Sequence, residues 1–397
     1  MKASTCSTLS RKSSLSDFSK TTANDIAHTT TETHHYHHHQ HKNSDVTQAD
    51  TVCISINSSH DTKDLLQSTT EPISICSLTP RSKDDDKDSS HGYSSGGVQD
   101  EQNDLGPICT WADLPPWMQD NPAIMTGYRR PTHSHRKSLR SLGYLHNESV
   151  NIWSHLLGTV AFVILVPVSY FKMIGVYETL RWTDVAVLYA FMAGAIICLS
   201  MSASFHTFCC HSENVCGHWN RCDYVGIVFL LIGSFYPAIF YGFYCHKTWQ
   251  IMYISLISIF GAATIIAVMQ PRFRSPQFRW VRSGLFLGMG LSGLFPIIHG
   301  IVLYGFRMAQ QAIALNYIFS MGASYVIGAL IYGSRFPECL FPGKFDHFGS
   351  SHQIFHIFVL FGCAIHFVGV TQAMAFWHGV NESCAIPLEQ IQSQFLN

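Results

Sequence analysis

The sequence has little charge. Only 13% of its 397 residues are Asp, Glu, Lys or Arg, and the formal net charge is −1, so no basic excess points to a nucleic-acid partner. It also lacks an apolar leader, because residues 1 to about 105 are rich in Ser, Asp, Lys and His without a sustained apolar period. We expect these residues to form a disordered cytosolic tail, and we expect the first membrane helix to serve as the insertion signal.

Cysteines with a standard metal-binding spacing are missing as well. None of the 13 cysteines belongs to a Cys-x2-Cys pair. Four of them fall in one predicted loop near His206 and His211: Cys209, Cys210, Cys216 and Cys222. We expect reduced cytosolic thiols there, with a zinc knuckle as the alternative. The run His34–His41 is interpreted as a low-complexity tract, with weak metal binding as its alternative.

Long apolar segments dominate the rest of the chain. Seven have the length of about 20 residues that crosses a bilayer, and they predict an all-α bundle of seven transmembrane helices. Residues 151–377 form this predicted membrane domain, residues 106–150 precede it, and residues 378–397 form a short extracytosolic tail. The predicted spans are Ile152–Phe171, Thr183–Phe208, Asp223–Cys245, Trp249–Gln270, Val281–Phe306, Ala312–Tyr332 and His352–Phe376.

The positions of Lys and Arg predict the orientation of the bundle. Basic residues are concentrated at 129–140, between the fourth and fifth spans, and between the sixth and seventh spans. Because cytosolic loops carry such an excess, we expect a cytosolic N-terminus and an outside C-terminus. The aromatic and basic stretch Trp111–Arg130 then predicts a short interfacial helix, with an ordered linker packed on the loops as an equal alternative.

Three histidines in these apolar segments are candidates for a metal site. His206 ends the second span, and His352 and His356 begin the seventh, so the predicted orientation places all three in the cytosolic leaflet. Residues four apart share a helix face, which lets His352 and His356 bind one ion and sets Ser202 beside His206. Asp223 begins the third span at the same depth. Three histidines around Zn²⁺ leave a position for water, whose pKa the ion lowers to about 7.

A less specific interpretation stays open for each of these residues. A histidine within the membrane often only forms a hydrogen bond between helices, and the spacing His-x3-His also arises by chance. Three other histidines, His155, His299 and His366, are interpreted as structural or as too far from the candidate site. His155 has suitable depth but no partner at helical spacing.

Several dense motifs in the same order resemble the progestin and adipoQ receptor family, which includes the adiponectin receptors and hemolysin III-like proteins. The resemblance covers about residues 107–377. It rests mainly on the segments Asn147–Gly158, Ser202–His206, Asp223–Ile227, Phe341–Asp346 and Ser351–His356.

The resemblance implies a seven-helix fold with Zn²⁺ held by His206, His352 and His356, a water near Asp223, and support from Ser202. It also implies a lipid-accessible cavity and hydrolysis of ceramide to sphingosine and a fatty acid. The alternative is a receptor or anchor with structural zinc.

Expected partners are a membrane lipid (ceramide or free fatty acid), an extracellular protein or a steroid, with a homodimer left open. We expect an integral multi-pass protein of the plasma membrane, with the Golgi or endoplasmic reticulum membrane as alternatives.

Overall fold

The computed structural model describes residues 106–173, 176–177, 179–380 and 384, without the side chains of Met173, Arg274 and Val380. The predicted tail over 1–105, its histidine run and most of the C-terminal tail lie outside the described residues. Within them, seven helices are long and apolar enough to cross a membrane. The predicted fold class of an all-α bundle with seven spans is therefore confirmed.

The seven spans follow one another with short connections. Spans 1 to 4 are the helices Ser149–Met173, Trp182–Phe208, Glu213–Gly242 and Lys247–Val268. Span 5 consists of two helices, Arg279–Leu291 and Leu294–Tyr304, and is followed by a short helix at Phe306–Ala312. Spans 6 and 7 are Leu315–Ser334 and Ser351–Val380.

The start of span 3 and the continuity of span 5 differ from the prediction. Span 3 begins at Glu213, ten residues before the predicted start, so Cys216 and Cys222 lie in a helix and not in a loop. Hydropathy detects only the apolar part of a helix, whereas hydrogen bonding continues through polar first turns. Span 5 is interrupted at Ser292–Gly293, a break to which a hydropathy average is insensitive.

Spans 2 and 3 pack closely because glycines lie between them. A Cβ atom on Gly194 would lie 2.5 Å from the carbonyl oxygen of Phe229, and one on Gly233 would lie 2.8 Å from that of Ala190. Small residues of this kind let membrane helices approach each other. The main apolar core lies beside this contact and includes Phe191, Met192 and Leu199, none of which has exposed surface. The two helices that carry Ser202, His206 and Asp223 are thus held in a fixed register.

Residues 106–148 form an ordered cap on the end of the bundle where span 1 begins, and we call this end the cap face. Strands β1 (Ile108–Cys109) and β2 (Tyr128–Arg129) pair antiparallel, and a short helix follows at His135–Arg140. The interfacial helix predicted over Trp111–Arg130 is absent from this segment. Two 3-10 turns, Trp111–Asp113 and Pro116–Met118, replace it, because Pro115 and Pro116 cannot continue a helix. The alternative of an ordered linker describes the segment correctly.

A disulfide marks the opposite end of the bundle, which we call the disulfide face. Cys245, just after span 3, is bonded to Cys384, beyond span 7, across a sequence separation of 139 residues. No disulfide involves the cysteines predicted to be thiols among the described residues: Cys209, Cys210, Cys216 and Cys222.

Candidate metal centre

Three histidines from two spans converge near the cap face. His206 lies in the last turn of span 2, and His352 and His356 lie in the first turns of span 7. One ring nitrogen from each lies within 4.8 Å of the others, and this is the one such group of three or more His, Cys, Asp or Glu among the described residues. The Nε2 atoms of His206 and His352 are 3.1 Å apart. The structure therefore brings together the three residues that the sequence singles out as metal ligands.

The opposite ring nitrogens of two of these histidines are held by Glu148, the last residue of the cap, and by Asn151 in the first turn of span 1. His206 donates its Nδ1–H to the Glu148 carboxylate at 2.7 Å, and His356 donates its Nδ1–H to the Asn151 carbonyl at 3.1 Å. The Asn151 side chain also donates to Glu148 at 2.6 Å. Because Nδ1 carries the proton in both rings, each Nε2 atom presents a lone pair.

This donor set fits a metal ion. Lone pairs on neighbouring nitrogens repel each other unless a cation or a proton lies between them, and histidines that bind metals usually donate their other N–H to a carboxylate or a carbonyl. Imidazole nitrogens suit zinc, copper, iron and nickel, so the geometry supports a metal site without fixing the element.

Glu148 is a site residue that sequence reasoning missed. Burial opposes its ionisation, but the His206 imidazole and the hydrogen bonds from His206 and Asn151 outweigh burial and hold the pKa of Glu148 below its usual range. A signal for it was present: Glu148, Asn151 and His155 are spaced by three and four residues, which places them on one helix face.

The helix ends that carry the histidines are anchored to the cap. The buried Arg129 guanidinium donates to the carbonyl oxygens of His206 at 2.5 Å and Thr207 at 3.0 Å. At the start of span 7, Glu338 accepts from the Ser351 backbone at 2.8 Å and from its hydroxyl. Asn121 of the cap donates to the same carboxylate at 3.1 Å. The cap thus fixes both helix ends at which the ligand nitrogens lie.

An apolar cavity begins at this centre and extends into the bundle. Its volume is about 600 Å³, within the range of sites that hold small ligands. Its polar end includes Ser202, Asp223, His352 and His356, and apolar side chains of spans 3, 5 and 6 line the remainder. The structure therefore places Ser202 and Asp223, the two residues predicted to assist the metal, on the wall of the cavity that the histidines face.

The cavity reaches the outside of the bundle beside the break in span 5. Leu291 and Leu294 flank that break, Phe319 lies on span 6, and all three line the cavity while remaining 46%, 43% and 47% exposed. In a membrane these side chains face lipid, so the geometry suits an apolar ligand that enters sideways.

The remaining membrane histidines lie away from the three-histidine group, except one. His366 on span 7 donates its Nε2–H to the Ser234 carbonyl at 3.0 Å, and His299 contacts the Tyr253 hydroxyl at 3.1 Å. His155 instead stacks on His356 and lines the cavity. The sequence interpretation of His366 and His299 as remote agrees with these positions.

Comparisons with known proteins consistently match related families of membrane proteins. The family described as Haemolysin-III related matches residues 143–367. The chain is 38% identical to the adiponectin receptor protein of Drosophila melanogaster over 284 residues, which cover 72% of this chain and 63% of that protein. It is 37% identical to progestin and adipoQ receptor-like protein 1 of Caenorhabditis elegans over 279 residues, covering 70% and 63%.

A yeast relative is covered more completely. The ADIPOR-like receptor IZH2 of Saccharomyces cerevisiae is 37% identical over 276 residues, which are 69% of this chain and 86% of that protein. The chain spans only 63% of the length of the fly and worm relatives.

Proposed function

Because this chain belongs to the Haemolysin-III related family and is an adiponectin receptor-like seven-helix membrane protein, we propose that its three-histidine centre binds Zn²⁺ and hydrolyses the amide bond of a ceramide-like lipid. The reaction would be coupled to lipid-metabolic signalling. One observation carries the proposal: His352 and His356 line the polar end of an apolar cavity of about 600 Å³, and a ring nitrogen of His206 lies within 4.8 Å of theirs.

The cavity supports this choice of substrate. Its wall is apolar over most of its length, which suits an acyl chain, and its few polar groups are concentrated at the histidine end. A ceramide has the same division, with one amide and its hydroxyls next to long hydrocarbon chains. Ser202, Asp223 and His356 at that end are at most 9% exposed, and such burial strengthens electrostatic interactions there.

Each residue at the polar end has a role in the proposed reaction. His206, His352 and His356 hold the ion, and Zn²⁺ bound there would supply an activated water and polarise the amide carbonyl. Asp223 accepts a proton from the attacking water and passes it toward the leaving amine. Ser202 donates a hydrogen bond to a polar group beside it, and Glu148 and Asn151 keep the rings of His206 and His356 oriented.

We also propose that the cap face is cytosolic and that the protein resides in the plasma membrane. The disulfide at the other face supports this orientation, because disulfides persist on the oxidising side of a membrane.

The second candidate is a receptor or anchor whose zinc is structural. It is favoured by the contact of Arg129 with the end of span 2, which would let the zinc stabilise the cap as a signalling surface. A protein or steroid ligand on the outside and a homodimer belong to this second proposal.

A hydrolysis assay on the purified, reconstituted full chain separates the two candidates. With N-oleoylsphingosine as substrate, we expect zinc-dependent release of oleate that a chelator abolishes. The Asp223→Asn variant is expected to keep its zinc and to lose at least about 100-fold in rate. The matched control is Asp113→Asn, which changes an exposed carboxyl of the cap.

Stoichiometric zinc without any oleate release would favour the structural role. Full activity of Asp223→Asn with zinc retained would remove Asp223 from the mechanism.

A further inference from the structure

His155 is the buried histidine whose partners the fold does not provide. It is 3% exposed, and neither of its ring nitrogens has a hydrogen-bond partner among the described residues. Leaving one buried polar group unpaired costs about 1–3 kcal/mol, and such groups in a native protein call for an explanation. His366, equally buried on span 7, has the Ser234 carbonyl as its partner.

The position of His155 points to the cavity. Its ring stacks on that of His356 with centroids 3.6 Å apart and planes 8° apart. It lines the same cavity end as Ser202 and Asp223, yet it is not a member of the three-histidine group. His155 therefore lies on the wall of the cavity, in direct contact with one of the three histidines.

The hydrogen-bonding groups of the His155 imidazole indicate what kind of ligand would fit the cavity. A neutral imidazole offers one N–H donor and one acceptor nitrogen. An amide-containing lipid offers a carbonyl oxygen and hydroxyl groups at one end and hydrocarbon at the other, so it satisfies His155 and fills the apolar remainder of the cavity. A pure hydrocarbon would leave the imidazole unpaired.

We propose that His155 is a substrate-binding residue that forms a hydrogen bond with the polar head of the lipid in the cavity and selects lipids that carry a carbonyl or hydroxyl there. The inference rests on the proposed function for its choice of an amide lipid. It concerns binding, so it can hold or fail independently of hydrolysis.

The test compares two ligands and three variants of the full chain. Equilibrium binding of radiolabelled N-oleoylsphingosine and of octadecane is measured on chelator-treated protein, in which the ceramide is not consumed. In His155→Phe, which keeps a ring of similar shape, we expect ceramide binding to weaken about three- to tenfold, as for one lost hydrogen bond, with octadecane binding unchanged. His155→Gln, which restores a donor and an acceptor, should recover part of the affinity.

Ser154→Ala is the matched control, because Ser154 is adjacent and contacts His356 Nδ1 at 3.4 Å. It should leave ceramide binding unchanged. Zinc content measured on separately loaded samples should be equal in wild type and in His155→Phe, because His155 is not needed to hold the ion.

Equal ceramide binding in wild type and His155→Phe would overturn the inference, and so would parallel losses for ceramide and octadecane. If His155→Phe does not fold, the same comparison is made with His155→Gln and His155→Asn. A wild type that binds ceramide through His155 but releases no oleate would contradict only the proposed hydrolysis. Oleate release with unaltered KM in His155→Phe would contradict only the role of His155.

Discussion

Among the described residues, two clusters within the bundle combine histidine with a carboxylate, one near each end. Near the cap face, His206, His352 and His356 lie with Glu148 at the end of a cavity. Near the disulfide face, Asp184 and His378 form a pair whose side chains are fully buried, with 2.9 Å between Oδ1 and Nε2. The average hydropathy of the helices does not distinguish the two clusters, because both consist of polar groups inside apolar helices.

The cluster near the disulfide face is closed. Tyr241 donates to Asp184 Oδ1 at 3.1 Å, the Arg181 backbone donates to Oδ2 at 3.1 Å, and the Thr179 hydroxyl bonds His378 Nδ1 at 2.9 Å. None of these residues lines the 600 Å³ cavity. Every polar atom of the pair has a partner within the protein, so this cluster links span 2 to span 7 and needs no ligand.

The cluster near the cap face is open. The Nε2 atoms of His206 and His352 lie 3.1 Å apart, and both ring nitrogens of neighbouring His155 lack a hydrogen-bond partner among the described residues. The comparison of the two clusters shows that a polar residue within a membrane helix does not by itself indicate a binding site. Polar atoms that lack a hydrogen-bond partner and lie beside a cavity indicate a binding site. The following variants test this difference between the two clusters.

The largest expected effect is on the closed cluster. His378→Leu leaves the buried Asp184 carboxylate without the hydrogen-bond donor that His378 provides, which should cost about 3–5 kcal/mol of folding free energy. Thermal unfolding in detergent should show a lower Tm, while the zinc content of the folded fraction stays unchanged. The double variant Asp184→Leu, His378→Leu should recover much of the loss. Zinc lost in proportion to Tm would show that the two clusters are not separate.

Removal of one proposed ligand should mainly weaken zinc binding, whereas removal of His378 should mainly lower the Tm. A four-ligand zinc site contributes about 10–16 kcal/mol in small domains, so His352→Ala should lose roughly one ligand's share and weaken zinc binding about 100- to 1000-fold. Metal titration of the chelator-treated protein measures this. His299→Ala serves as the control, because His299 contacts Tyr253 on the other side of the bundle. Unchanged zinc affinity in His352→Ala would dismiss the proposed ligand set.

A smaller effect is expected from the carboxylate that orients His206. Glu148→Gln keeps the shape but removes the charge, and partners of metal-binding histidines typically contribute 10- to 100-fold in affinity. The same titration should show a loss of about that size, with Glu213→Gln at the exposed start of span 3 unaffected. Equal zinc affinity in Glu148→Gln and wild type would show that the contact with His206 does not support metal binding.

The smallest effect concerns pH and the cap beside the open cluster. Burial and the nearby Arg129 lower the pKa of His146 to about 3, whereas in the unfolded chain it is about 6.5. Below pH 6.5 the unfolded state therefore binds a proton that the folded state does not, and stability falls as the pH drops toward 3.

Between pH 7 and pH 5, chelator-treated wild type should lose more Tm than His146→Gln, whose side chain does not titrate. Removing the metal excludes protonation of the proposed ligands as a cause of metal loss. Parallel pH profiles would show that His146 does not contribute to acid sensitivity.

Much of the fold could be predicted from the sequence because a bilayer requires about 20 apolar residues for each span. Seven such runs gave seven helices. The start of span 3 at Glu213 and the break in span 5 could not be predicted in this way, because hydrogen bonding and local packing set them and average hydropathy does not.

The part of the site that depends on residue spacing along a single helix could be predicted from the sequence. The pair His352 and His356 and the depth of His206 could be inferred from the sequence. The contact between Glu148 and His206 joins residues 58 apart, and the stack of His155 on His356 joins residues 201 apart. Such contacts depend on which helices become neighbours, so His155 could not be separated from a structural histidine before the fold was known.

The bond between Cys245 and Cys384 closes a covalent ring through spans 4 to 7. A protease that cuts the chain once between these two cysteines would therefore produce two fragments that remain joined until a reductant is added. Spans 6 and 7, with two of the three histidines, would stay attached to the half that carries the third. A protein cut once in a loop between Cys245 and Cys384 can in this way migrate as an intact molecule under non-reducing conditions.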